Sequence, residues 1–468
     1  MVAERSVPPE RRLLPAMRIG EIPWGWLLVV VLFARPHLEA QDAATPEEAV
    51  DVEDLLDRLA EAVDLPNAKA RGRRARELAA DKAIELDDWL GAMERFGPHE
   101  LEDDGGGVQT FVETLRPLGK AEETEILVHL PRDYDHATPH PMVVVLHGAG
   151  GSGLGSMNAY RAWSDRLGLI CICPTEAGSN QGYTGQPRER HSVLETVRWA
   201  RRRYHVDPNR VFVMGWSRGG HLTWDLILRF PDLWAGAIPC AGAPRLPVTG
   251  GRNNMRYASN VAHMAIRALV GEHEHPGMHR NLREVFRRLE ERDALKAKLV
   301  VQRGHGHSFD IQAVNGPGFF GESRRNPLQP RVVRRFVRED EARSHWLEVV
   351  RAKPRGVKEE WSVTMPKGFR GTPTDEQILT WVMEQADDRT VEVVGHYDGP
   401  GSIRIEKDGV KKVRLYLSRE MLDERGRITV MDGKKPVKRR PKPSKRVLLE
   451  EFVERFDPSF LPISTLEL

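Results

Sequence analysis

Six short, continuously apolar runs rich in β-branched residues punctuate the middle of the chain, at residues 142–146, 169–173, 211–214, 235–240, 265–270 and 297–301. Runs of this length without polar alternation are the mark of strands buried on both faces of a parallel sheet. Stretches of helical spacing separate them, at residues 192–204, 221–229 and 280–295. Strands alternating with helices predict an α/β fold with a doubly wound sheet. Val108–Leu115 and residues 124–130 alternate like a hairpin around Leu118-Gly119-Lys120. Before Gly105-Gly-Gly107 the pattern over residues 45–97 is charged and helical, which reads as a helical lead-in.

After about residue 346 the pattern changes. Residues 391–394, 402–406, Val410–Leu417 and 428–431 alternate as strands around Asp398-Gly-Pro-Gly401, Asp408-Gly409 and Asp432-Gly433. Thr374-Asp-Glu-Gln377 has capping-box form and starts a helix running to about Ala386. The expectation is a small, mostly β accessory module over 346–468, following a closing amphipathic helix at 332–341. Its residues 434–446 carry a dense basic run with three prolines and no acid, read as a solvated loop, with docking on an acidic polymer or membrane surface as the alternative.

The one stretch apolar enough to concern a membrane, residues 24–34, is about half the ~20 residues a spanning helix needs. Arg11, Arg12 and Arg18 precede it, Pro23 and Pro36 bracket it, and Leu38-Glu-Ala40 offers a small-residue cleavage site. That layout predicts a signal peptide over 1–40, cleaved near Ala40, and a secreted or periplasmic protein without a stable membrane span. The 468 residues allow two or three domains. Lysine plus arginine (70) nearly cancels aspartate plus glutamate (68), so no global charge favours nucleic acid as a partner. Three cysteines make no disulfide framework; Cys171, Cys173 and Cys240 read as buried thiols.

The chemistry gathers at the ends of the apolar runs. Gly215-Trp216-Ser217-Arg218-Gly219 is G-x-S-x-G between a strand and a helix, where a strained turn pushes a serine hydroxyl out above the sheet. Upstream, His147-Gly148-Ala149-Gly150-Gly151 follows the first run and suits an oxyanion loop; Ala149 or Gly150 would act with Arg218 through their backbone N–H groups. Neither G-x-G-x-x-G spacing nor a P-loop lysine is present. A nucleophilic serine needs a base and a carboxylate to fix its tautomer. Gly304-His305-Gly306-His307 follows the last run, and Gly271-Glu272-His273-Glu274-His275 follows the one before. The order serine, acid, histidine is that of α/β-hydrolases. A metal site built from His273, His275, His279, His305 and His307 is the competing chemistry, although no H-E-x-x-H spacing exists.

Over residues 108–339 the sequence resembles secreted α/β-hydrolase esterases of the polyhydroxybutyrate depolymerase, feruloyl esterase and acetylxylan esterase group, with kinship to prolyl oligopeptidase-like catalytic domains. Asp207-Pro-Asn-Arg-Val211 is similar to that group's D-P-x-R-V lead-in, and Gly304-His-Gly-His307 to its G-x-G-H ending. The resemblance implies His307 as base rather than His305. Its G-x-x-D acid pattern lands on Glu274, a glutamate where the group has aspartate, with Glu272 and Asp310 as the other carboxylates at hand.

The reading is therefore a serine esterase with Ser217, His307 and Glu274 as triad, no cofactor, no metal, and an ester substrate, polymeric polysaccharides or polyesters included. Its divisions are the signal peptide, a lead-in over 45–107, a catalytic domain over 108–341 and the module over 346–468. A serine peptidase on the same scaffold is the first alternative, although the stretch ahead of the sheet is too short and too helical for a propeller that would filter peptides by size. A noncatalytic carbohydrate- or envelope-binding protein is the second. Arg218, Arg252 and Arg256 hint at an anionic substrate or product.

Overall fold

The computed structural model describes residues 50–97, 107–178, 182–245, 253–353, 364–433 and 435–468. The expected export signal lies outside them. Among the described residues no helix is long and apolar enough to cross a membrane.

Three helices come first, α1 (Val52–Asp64), α2 (Ala68–Ala79) and α3 (Leu86–Arg95). The hairpin of β1 (Val108–Leu115) and β2 (Glu122–His129) follows. Then come β3 (His140–Leu146), α4 (Gly153–Arg166), β4 (Ile170–Pro174), α5 (Pro187–Arg203), β5 (Val206–Trp216), α6 (Arg218–Arg229) and β6 (Gly236–Cys240). The run closes with β7 (Ala265–Gly271), α7 (Pro276–Glu290), β8 (Ala297–Gln302) and the short α8 (Gly316–Glu322).

The eight strands form one sheet in the order β1-β2-β4-β3-β5-β6-β7-β8. From β4 to β8 every neighbouring pair is parallel, while β2 runs against both β1 and β4. The apolar runs are its strands β3 to β8, the last of them at the sheet's edge. Val143 and Val145 belong to the core on one face, and Met142, Val144 and Leu146 to the core on the other. Cys171, Cys173 and Cys240 sit buried on one of these faces as free thiols. Because the chain steps from β3 outward to β4 and then crosses back to β5, the carboxyl ends of β3 and β5 border the point where winding reverses. Open α/β sheets place their ligand sites there.

The expected closing helix at 332–341 is instead a strand, β9 (Arg331–Phe336). It pairs antiparallel with β12 (Val391–Tyr397), after β10 (Arg343–Ser344), β11 (Leu347–Ala352) and α9 (Asp375–Asp388). The second module thus takes its first strand from within the stretch assigned by sequence to the catalytic domain. The misreading has a physical cause. Arg334 reads as part of a polar helical face, yet it is fully buried, donating from Nε to the Glu341 carbonyl at 2.5 Å and from Nη2 to the Arg229 carbonyl at 2.8 Å. A strand buried on both faces that carries arginines shows neither periodicity.

The module continues with β13 (Ser402–Asp408), β14 (Val410–Leu417), β15 (Ile428–Asp432), β16 (Lys435–Arg439), α10 (Lys445–Arg455) and β17 (Ser464–Glu467). Its sheets, β16-β15-β13-β12-β9 and β10-β11-β14-β17, face each other across a core that includes Trp346, Leu347, Val393, Ile403, Leu415 and Val430. Thr374 caps α9 as its motif requires, with Gln377 reciprocating. The basic run is a loop only in part: Lys435–Arg439 is the edge strand β16, residues 440–444 form a loop, and the run ends inside α10.

The lead-in helices complete their core with this distant α10. Leu55, Leu59, Trp89 and Met93 meet Leu448, Leu449, Phe452 and Val453 in one cluster. Arg198 on α5 fastens the cluster to the large sheet. Its guanidinium donates to the Val63, Val453 and Glu454 carbonyls, each at 2.8 Å. It thereby satisfies orphan carbonyls at the ends of both α1 and α10. Burial pulls its pKa down to about 9, leaving it charged at neutral pH. Arg198→Ala is expected to cost about 2–4 kcal/mol, since it strips three charge-assisted bonds from helix-end carbonyls, two of them part-buried. Urea unfolding monitored by tryptophan fluorescence checks this; an unchanged midpoint would refute the clamp.

Candidate active site

Ser217 stands between the end of β5 and the start of α6 at φ 56° and ψ −115°, a left-handed backbone for a residue with a side chain. The two flanking glycines are a steric requirement. A Cβ on Gly215 would lie 2.5 Å from the Gly219 carbonyl carbon, and one on Gly219 would lie 2.2 Å from the Leu146 carbonyl oxygen. The turn can close, and the β3 end can pass alongside it, only because both positions lack side chains.

Three strand ends then converge. His307, past β8, receives the Ser217 hydroxyl at its Nε2 over 2.9 Å, and its Nδ1 faces Glu274 Oε2 at 2.6 Å. With a carboxylate at Nδ1 the hydrogen belongs on that nitrogen, so Nε2 is free to accept. Glu274, past β7, is 7% exposed at its side chain, and its Oε1 accepts the His275 backbone N–H at 2.9 Å. Burial pushes its carboxyl upward. The His275 N–H and the His307 ring outweigh that and hold it below the usual carboxylate range.

The acid and base loops are laced together. Glu272 N–H donates to the Gln302 carbonyl and His273 N–H to the His305 carbonyl, at 2.9 and 2.8 Å, prolonging the β7–β8 ladder. Gly271 is required at this crossing, since a Cβ there would come within 2.0 Å of the Gly306 carbonyl. The rival carboxylates point elsewhere: Glu272 Oε2 accepts from Gly304 N–H, and Asp310 Oδ1 from Gln312 N–H.

The glycine-rich segment after β3 borders the serine. A Cβ on Gly148 would lie 3.4 Å from Ser217 Cβ, and Ala149 follows it, while Arg218 opens α6. His147 is buried beneath and fixes this segment. Its Nε2 accepts Glu176 N–H at 2.9 Å, so the hydrogen sits on Nδ1, which donates to the Gly148 carbonyl at 2.8 Å. Burial lowers its pKa and keeps it neutral. Above Ala149 lies Gly182, in a loop tied down by Glu189, whose carboxylate accepts from Thr184, Gly185 and Gln186 backbone N–H groups at 2.6–3.1 Å.

The other histidines of the acid and base loops do not converge. His305 Nδ1 meets Ser308 Oγ, and His275 Nδ1 accepts from Gly277 N–H. Among the described residues no group of three or more His, Cys, Asp or Glu side chains could hold a metal. Arg256 is not at the site but buried against Tyr257, 5.2 Å from its ring, and Arg252 lies outside the described residues.

Sequence reasoning missed three contributors. Trp216, 40% exposed, tilts over His307 with ring centroids 5.7 Å apart. It occupies a variable position of the pentapeptide, so only its size could have drawn notice. The tautomer of His147 and the anchoring by Glu189 depend on backbone partners that no spacing reveals.

Strand order, the elbow at Ser217 and the loops past β7 and β8 coincide with one fold. The central domain has the α/β-hydrolase fold. Residues 187–264 match the prolyl oligopeptidase family. The chain is 30% identical over 119 residues to poly(3-hydroxyalkanoate) depolymerase C of Paucimonas lemoignei, covering 22% of this chain and 28% of that protein. It is 25% identical over 135 residues to feruloyl esterase B of Neurospora crassa, 26% of this chain and 46% of the relative. With acetylxylan esterase A of Emericella nidulans the identity is 26% over 128 residues, 25% and 41% of the two chains. The chain thus spans less than half the length of these curated relatives. Among solved structures, an acetyl xylan esterase from Aspergillus awamori aligns over 46% of this chain and 99% of its own, with a TM-score of 0.40 and 16% identity.

Proposed function

We propose that the protein hydrolyses carboxylic esters through an acyl-enzyme on Ser217. The observation that carries this reading is the continuous hydrogen-bonded chain from Ser217 through His307 to Glu274. Ser217 Oγ attacks the ester carbonyl carbon while His307 Nε2 takes its proton. Glu274 holds the imidazole in its Nδ1–H tautomer and stabilises the imidazolium that forms. The backbone N–H groups of Ala149 and Arg218 receive the oxyanion, the segment before Ala149 being held by His147. Collapse of the tetrahedral species breaks the carbon–oxygen bond, and His307 returns its proton to the departing alcohol. Water then attacks the acyl group with His307 as base, releasing the acid and restoring Ser217.

No step calls for a cofactor or metal. The relatives named for esters of xylan, ferulate and hydroxyalkanoate polymers support an ester rather than an amide, and a protein exported by a cleaved leader would meet such polymers. The match to the prolyl oligopeptidase family favours the second reading, a serine peptidase. One panel separates them: p-nitrophenyl acetate, methyl ferulate, acetylated xylan, poly(3-hydroxybutyrate) and a prolyl anilide. Esters are expected to turn over with EDTA present, and a fluorophosphonate to label Ser217. Turnover of the anilide alone would establish the peptidase, and absence of labelling a binding protein.

A further inference from the structure

The accessory module carries one charged surface that its own architecture does not explain. Residues 434–446 contain eight lysines and arginines and no acid, in a chain whose net charge is +2. Five of these side chains, Lys435, Lys438, Arg439, Arg440 and Lys442, are exposed along β16 and the proline-punctuated turn after it. Among the described residues none of the five has a carboxylate within ion-pair distance. Several other basic groups of the module are neutralised in place: Arg404 by Asp398, Lys407 by Asp432, Arg414 by Glu348 and Glu467, Arg427 by Asp423; those without such a partner, as Arg351, Lys411 and Arg425, do not form a run of five.

Edge protection accounts for only part of this. β16 pairs with β15 alone, so its outer edge presents unpaired backbone groups, and a proline with one or two lysines blunts such an edge. Pro436, Lys435 and Lys438 already do so. Arg439, Arg440 and Lys442 add only mutual repulsion until an anion neutralises them.

We propose that β16 and its following turn form a docking surface for an acidic polysaccharide, one bearing carboxylate or sulfate groups along its length. The proposal rests on the ester-hydrolase reading, since a module that gathers such a polymer raises the concentration of its acyl esters near Ser217. Charge complementarity selects the anion, and composition selects the class. Residues 434–446 contain no aromatic side chain on which bases could stack. Their one aliphatic side chain is the half-buried Val437, too little apolar surface to seat the strand in a bilayer. A polyanionic sugar needs neither. An extended strand spaces like-facing side chains by about 6.6 Å and offers charge on both faces, which suits a linear polymer.

The test is affinity electrophoresis of the full chain in gels containing polygalacturonate, chondroitin sulfate or, as control, neutral xylan. Retardation is expected in the two acidic gels, relieved as salt rises from about 50 mM to about 300 mM. Changing Lys435, Lys438, Arg439, Arg440 and Lys442 together to Gln is expected to weaken binding at least about tenfold, with p-nitrophenyl acetate turnover within about twofold of wild type. Arg439→Gln with Arg440→Gln supplies an intermediate loss and keeps the result readable if five changes disturb the fold. Ser217→Ala is expected to bind as wild type does, so loss of the esterase reading would leave this measurement standing. Equal migration in acidic and neutral gels, full retardation of the five-site variant, or tighter binding to duplex DNA or phosphatidylserine vesicles would overturn the proposal.

Discussion

Replacing Ser217 by alanine is expected to lower kcat on p-nitrophenyl acetate by about 10⁴–10⁶-fold while leaving the thermal midpoint nearly unchanged. The two halves rest on different observations. The hydroxyl is the only group that Oγ contributes to the chain through His307, and without it no covalent intermediate forms. Alanine keeps the Cβ, so the strained backbone at φ 56° is neither relieved nor worsened. His307 is 47% exposed at its side chain, so water replaces the lost partner and no buried polar group is orphaned. The stability change should stay within about 1 kcal/mol. Retention of more than about a hundredth of the wild-type rate would end the case for Ser217 as nucleophile.

The second large effect concerns the acid. Glu274→Gln is expected to lower kcat by about 10²–10⁴-fold with little change in KM. A glutamine presents an amide that donates toward His307 Nδ1 as readily as it accepts. When it donates, the imidazole hydrogen moves to Nε2, the nitrogen that must receive the serine proton. The amide also supplies no charge to stabilise the imidazolium. Glu272→Gln and Asp310→Asn are expected to stay within about tenfold of wild type, because these carboxylates accept backbone N–H groups within the loops. Parallel kinetics of the three variants decide it. A crippled Glu272→Gln beside an active Glu274→Gln would mean that the ladder between the acid and base loops carries the wrong residue to the imidazole.

The central sheet was readable because its inner strands have no solvent face. A run such as Met142–Val145 can only be core, and β3 to β8 followed from six such runs. The site was readable because backbone sterics demand glycine at Gly215 and Gly219, which leaves a short sequence signature around Ser217. Legibility failed where polar residues are buried or partners are remote. Arg334 hides a strand because its guanidinium donates to buried carbonyls, from Nε and Nη2, rather than to water. The basic run masks β16 because an edge strand is free to carry charge on both faces. Nothing local in α1–α3 announces that α10 completes their core, since Arg71 and Glu454, which pair across it, are 383 residues apart.

That last pairing has a consequence for how the chain comes to be folded. Synthesis delivers α1, α2 and α3 well ahead of α10, with Arg71 and Glu454 383 residues apart, so Leu55, Leu59, Trp89 and Met93 lack these apolar partners until the chain between has been made. The entropy of joining such remote segments grows only logarithmically with the chain between them, so the finished protein bears it easily. The delay is kinetic: an amphipathic helical face stays open through the making of the large sheet and most strands of the module, the kind of surface on which chains aggregate and chaperones act. On this order of synthesis the helical core at α1–α3 closes only once a segment made after the large sheet arrives to fill it.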